Sequence, residues 1–180
     1  MEILELNNNT YEVDITPEGA TLDVFKTLIK KDKSKNKDTF KKEIAFIYFF
    51  TNVKSSYLDI EDEEERTKEI IKDIGLNKNW IIDKNIKNAI NYCNSKKTIN
   101  EIVYESARIS ALAVSEYLRT TKDLLISGDV DIAKITSALD KIPNIMSKLN
   151  EANKQLVEER KNLDKRKKGT KDLNMFEDGI

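Results

Sequence analysis

The last third of the chain leaves the fewest folding options. Ile135, Ile142, Leu149, Leu156 and Leu163 recur every seven residues, and Ile132, Leu139, Met146, Asn153 and Arg160 form a second row at the same spacing. Such rows predict a coiled-coil seam, because a helix brings positions seven apart onto one face. The rows are apolar in their first half and turn polar in the second. Upstream, Thr98 and Glu101 have the spacing of a capping box, in which each side chain bonds the other residue's backbone N–H. The pattern from there predicts a helix to about residue 126. Ile99, Ile102, Val103, Ser106, Ser110, Ala113, Val114, Tyr117, Leu118, Leu124 and Leu125 are expected on its packing side. Ser127, Gly128 and Asp129 then supply a reversal, glycine ending one helix and aspartate capping the next. So short a connection makes the two helices antiparallel neighbours. At the helical rise the first spans about 43 Å and the second, residues 129–167, about 58 Å. The second therefore overshoots by about 15 Å, and Pro143 is expected to kink it. Residues 169–180 are expected to leave as an extended tail.

The N-terminal half reads differently. EILEL at residues 2–6 and YEVDI at residues 11–15 alternate apolar and polar residues, as half-buried strands do. NNNT between them is a turn cluster, so the pattern predicts a β-hairpin. A lone hairpin is marginal in water and must lean on a helix or on another chain. Thr16-Pro17-Glu18 is a helix-start signal, followed by Leu22, Phe25, Leu28 and Ile29 at helical spacing. The lysine-rich KKDKSKNKD predicts an exposed loop. IAFIYFF at residues 44–50 is the most apolar stretch, and its flanks continue a helical register, so it is expected to be the buried central helix. Acid at residues 59–65 suits a helix N-terminus. Ile70, Ile71 and Ile74 give the next stripe, and Gly75 stops that helix at C′. A further helix is expected over about residues 79–94, carrying Trp80, Ile81, Ile86, Ala89, Ile90 and Cys93.

The fold class expected is therefore mainly α: an N-terminal β-hairpin and compact helical domain (residues 1–96), a long antiparallel helical hairpin (97–168), and the tail (169–180). Five glycines are too few for the turns of an all-β fold.

Composition narrows function by exclusion. The chain has no histidine and one cysteine. A Ser-His-Asp or Cys-His nucleophile system, a histidine base, a CxxC centre and an internal disulfide are thereby ruled out. No apolar run reaches the length of a membrane span. The acidic N-terminus does not read as a signal peptide, so the chain is expected to be made in a cytoplasm. Glu61–Glu65 lacks the spaced ligands of a calcium loop. No catalytic residue, metal site or cofactor is expected.

Contact residues are better marked. Lys165, Arg166, Lys167 and Lys168 sit in a basic run that suits phosphates or an acidic protein surface. A solvated helix C-terminus favours the same cations. Leu173, Met175, Phe176 and Ile180 load the tail with large apolar groups, as a docking peptide would. The strand with Tyr11, Val13 and Ile15 is a second candidate contact.

The stretch KKEIAFIYFFTNVKSSYLDIEDEEERTKEIIKDIG, residues 41–75, resembles small virion proteins of tailed bacteriophages, of the crAss-like type. The match lies in the aromatic helix at Glu43 to Phe50, the Ser-x-Tyr turn at Ser55 to Tyr57 and the acidic helix start at Glu63 to Arg66. With the preceding hairpin it extends over roughly residues 1–80. The resemblance implies a structural part of the particle: a head–tail connector, portal-associated or capsid-associated protein in a symmetric multi-copy assembly. Its partners would be portal, ring or capsid proteins, and its place the virion after synthesis in the host bacterial cytoplasm. A nucleic-acid-binding or packaged accessory, using the basic segments at residues 26–42 and 161–171, is one alternative. A non-virion coiled-coil adaptor is the other.

Overall fold

The computed structural model describes residues 3–7, 10, 12–60, 62–127 and 132–177, with side chains except at 122–127, 163–164 and 166–177. The chain divides into two compact units, Met1–Lys97 and Thr98–Ile180.

The first unit opens with the expected hairpin. β1 (Leu4–Leu6) and β2 (Val13–Ile15) pair antiparallel, with Leu4 opposite Ile15 and Leu6 opposite Val13. Helices α1 (Pro17–Ala20) and α2 (Asp23–Lys31) follow, where one continuous helix was expected. The split follows from the N-terminal signal itself. Thr16 Oγ1 accepts from Gly19 N at 3.0 Å and donates to Ile3 O at 3.2 Å, tying the start of α1 to the hairpin. A Cβ on Gly19 would lie 2.6 Å from Ile3 O and 2.9 Å from Ile15 Cγ1, so only glycine fits against the hairpin here. The chain then turns at Thr21 and Leu22 before α2 carries Phe25 and Leu28 into the core.

The lysine-rich loop is organised by one acid. Asp32 accepts N–H bonds from Ser34 at 2.8 Å and Phe40 at 2.9 Å. The bonds from Phe40 and Ser34 lower its pKa from 3.8 to about 2. A depressed carboxylate pKa contributes stability above the unfolded value, and that contribution is lost as pH falls through the folded value. The stability gap between wild type and Asp32→Asn is therefore expected to be full at neutral pH and to close between pH 3.8 and about 2. Denaturant midpoints measured across that window check it.

α3 (Asp38–Thr51) is the central helix the aromatic stretch predicts. Phe40, Ile44, Phe46 and Ile47 are buried along it. The hairpin leans on α3 through its apolar face, which is how a two-stranded sheet persists. A 3₁₀ turn (Ser56–Asp59) leads to α4 (Glu63–Asp73), capped by Asp62, whose carboxylate accepts from Glu65 N at 2.7 Å. Gly75 ends α4 as expected, at φ 67°. Its N–H bonds Lys72 O at 3.2 Å, and Leu76 N bonds Ile71 O at 3.0 Å, the two bonds of a Schellman motif.

α5 (Lys84–Ser95) begins five residues later than expected. Asp83 is the cap: Oδ1 accepts from Asn85 N and Ile86 N at 2.9 Å each. Asn77 closes its own turn onto Asn79 N at 2.9 Å, which leaves Trp80 and Ile81 ahead of the helix.

The second unit is the antiparallel pair α6 (Ile99–Ser127) and α7 (Ile132–Glu177). The capping box forms as its spacing predicts: Glu101 N donates to Thr98 Oγ1 at 3.2 Å, and Thr98 N donates to Glu101 Oε2 at 3.0 Å. Glu159 accepts from Thr98 Oγ1 and Asn100 Nδ2 at 3.0 Å each, and Arg160 Nη2 lies 3.5 Å from Glu101 Oε1. These bonds join the start of α6 to a late turn of α7. α7 is unbroken through Pro143, and it continues past Gly169 to Glu177 instead of becoming extended at residue 169. One glycine costs a helix about 1 kcal/mol, too little to end it among helix formers such as Lys171, Leu173 and Met175.

One row of the expected seam is displaced. Ile135, Ile142, Leu149 and Leu156 do face α6, with Leu156 and Ala152 buried. The second inward row is Ala138, Ile145, Ala152 and Glu159. Ile132, Leu139 and Met146, one residue further along, are 70%, 50% and 45% exposed. Leu139→Asp is accordingly expected to change hairpin stability by no more than about 0.5 kcal/mol. Leu156→Ala is expected to cost about 2 kcal/mol. Thermal melts of the two variants decide between the seams.

Candidate functional site

Three places gather chemistry or unsatisfied surface. A cleft of about 680 Å³ lies in the first unit, bordered by Glu12 and Asp14, by Lys41, Lys42, Ala45 and Phe49 of α3, and by Tyr57 and Asp73. Two of its polar groups, Tyr57 and Asp73, are spent on one another, and a third, Lys42, on a backbone carbonyl. Tyr57 donates to Asp73 Oδ2 at 2.7 Å, and Lys42 Nζ donates to Gly75 O at 2.7 Å. Burial, then the bond to Asp73, push the Tyr57 phenol up to about 12, so it stays protonated.

The second place is an ionic cluster at the edge of the core of the same unit, where only Glu43 is fully buried. Glu43, on the buried side of α3, accepts from Lys31 Nζ at 3.0 Å and from Trp80 Nε1 at 3.3 Å. Lys31 also donates to Asp83 Oδ2 at 2.8 Å. Partial burial opposes the Lys31 charge, but its bonds to Asp83 and Glu43 outweigh that and raise its pKa. For Asp83, burial acts upward, and the Lys31 and backbone bonds win and lower it. The cluster ties α2, α3 and the cap of α5 together. Sequence reading missed Glu43 because a glutamate inside a helix otherwise reads as solvated.

The third place is the surface of the α6–α7 hairpin. Ile99, Ile102, Ile109 and Tyr117 on α6 are 80%, 50%, 59% and 41% exposed, and Val103 is 46% exposed. α6 instead meets α7 through the side that holds Ala111, Val114 and Leu118, which line a hollow with Ile142, Ile145 and Met146. Of the packing side expected for α6, Val114 and Leu118 thus turn inward, while Ile99, Ile102, Val103, Ser106, Ser110, Ala113 and Tyr117 turn out, and the side chains of Leu124 and Leu125 lie outside the description. The sequence is apolar on two faces of α6, and only the placement of α7 selects between them. A groove of about 410 Å³ runs beside this outward face, lined by Ile102, Val103, Ser106 and Ser110 and by Lys148, Glu151, Ala152 and Gln155 of α7.

No family model, curated protein or solved structure matches this chain.

The contact residues expected from sequence fall in three groups. Val13 is buried and Ile15 packs against the core, so both serve the fold of their own unit. Tyr11 and Ile180 lie outside the described residues. Lys165 is exposed on α7; Arg166, Lys167, Lys168, Leu173, Met175 and Phe176 lie on the same helix, and their side chains are outside the description. Burial pushes the Cys93 thiol up to about 11, against a smaller pull from Lys97, as befits a structural thiol. Among the described residues no cluster of cysteine and carboxylate groups could hold a metal, and no helix is long and apolar enough to cross a membrane.

Proposed function

We propose that this chain is a non-enzymatic structural protein of a tailed-phage virion, in the head–tail connector region or on the capsid, acting through protein–protein contacts. The observation that supports a contact role is the apolar surface of the helical hairpin. Single exposed hydrophobics are ordinary on a monomer. Here they form rows at helical spacing on both helices, which is the pattern of surface meant for a neighbour. The phage setting is supported by the resemblance of residues 41–75 to the small virion proteins of crAss-like phages. The partners proposed are portal, ring or capsid proteins, with Lys165, Arg166, Lys167, Lys168, Leu173, Met175, Phe176 and Ile180 as further contacts.

Mass spectrometry of purified particles whose genome encodes the chain is the test. The chain is expected in fixed stoichiometry with the portal or the capsid protein. Its absence from particles would overturn the virion role and favour a non-virion adaptor.

A further inference from the structure

We infer that the outward face of α6 is the docking site for a second copy of this chain, joined about a two-fold axis. This names the partner for part of the surface on which the proposed function rests.

The face is continuous and uncharged. At 3.6 residues per turn, Ile99, Val103, Ser106, Ser110, Ala113 and Tyr117 fall within a strip about 80° wide, a quarter-turn from the side that meets α7. The hydroxyls in its middle are already satisfied: Ser106 Oγ donates to Ile102 O and Ser110 Oγ to Ser106 O, each at 2.9 Å. They can enter a dry contact without leaving a donor unpaired.

The strip is also its own complement. A two-fold contact requires that residue i of one copy meet residue j of the other, and j meet i. Run antiparallel to a second copy about the level of Arg108, the strip sets Ile99 against Tyr117, Val103 against Ala113 and Ser106 against Ser110. Large groups meet at both ends and small ones at the axis, where the helices approach most closely.

Charge on the neighbouring helix obeys the same axis. The bonds from Thr98 and Asn100 to Glu159 fix which turn of α7 stands beside each turn of α6. At that register the level of Arg108 coincides with the middle of the span from Lys148 to Glu151. Both line the groove beside the strip. Among the described residues neither is ion-paired within its own chain. The axis that joins the strips places Lys148 of each copy opposite Glu151 of the other. The product is an antiparallel four-helix arrangement with two ion pairs flanking an apolar seam.

Sedimentation equilibrium of the full chain tests this. The wild type is expected to be a dimer at micromolar concentration. Ser110→Lys puts a charge on the axis and is expected to weaken the dimer at least about tenfold, with helicity by circular dichroism unchanged. Lys148→Glu, on the exposed flank, is expected to weaken it by about fivefold, and the added Glu151→Lys exchange to restore it. Leu139→Asp, on the opposite flank, should leave it intact. A monomer at every concentration overturns the inference. So does a dimer that ignores Ser110→Lys, or a charge exchange that fails to rescue Lys148→Glu. Those results would leave the virion role standing, whereas absence from particles would not touch the dimer.

Discussion

Phe46→Ala is expected to cost the first unit about 3–5 kcal/mol. Phe46 has no exposed surface and sits where the central helix meets its neighbours. Its ring stacks on Phe50 at 5.4 Å between centroids and meets Trp80 tilted at 4.7 Å. Truncation removes the transfer energy of a large ring and leaves a void that a close-packed core fills only in part. The ring pairs add about 0.5–1.5 kcal/mol each beyond area. A domain of this size carries only about 5–15 kcal/mol in total, so urea denaturation of the variant should begin at far lower denaturant. Phe46→Leu keeps much of the volume and should lose distinctly less. Equal losses for the two would mean that the ring contacts, and not bulk, carry the whole effect.

The second large effect is electrostatic. Lys31→Met is expected to cost about 3 kcal/mol at neutral pH. The Glu43 side chain is 2% exposed, so without Lys31 its charge would be held in the core by the Trp80 N–H alone. Removing one partner of a fully buried pair costs about 3–5 kcal/mol. The lower end applies because Lys31 is itself 42% exposed and partly screened. Lys31→Met combined with Glu43→Leu should recover most of the stability, since an apolar pair of similar volume leaves no charge to compensate. A single variant as stable as wild type, by denaturant titration at pH 7, would show that Trp80 or water suffices for Glu43.

Much of the fold was legible in the chain because its signals are local. The capping box at Thr98 and Glu101, the C′ glycine at Gly75 and the alternation of the hairpin each depend on residues within a few positions of one another. Their geometry follows wherever those residues stand. The start of α5 was misread for the same reason in reverse: the apolar spacing from Trp80 onward looked helical, and the competing cap at Asp83 was given no weight. The long helices were legible as helices but not as faces. α7 offers two apolar rows one residue apart, Ile132–Leu139–Met146 and Ala138–Ile145–Ala152, and the larger side chains are the ones left outside. Close approach to α6 favours the small residues inward, which a count of hydrophobicity does not weigh.

The candidate surfaces divide along the same line. Glu43 stood in the sequence as one charge among 63, and its burial beside Lys31 and Trp80 depends on α2, α3 and the cap of α5 meeting in space. The sequence by itself determined the helical class, the hairpin, several helix caps and the absence of histidine chemistry, because backbone bonding and residue type are local properties. Only the tertiary structure decided which acid is buried, which row of α7 packs and which face of α6 stays open. Those depend on partners tens of residues away, and a helix that is apolar on two sides has no preferred inside until a neighbour takes one of them.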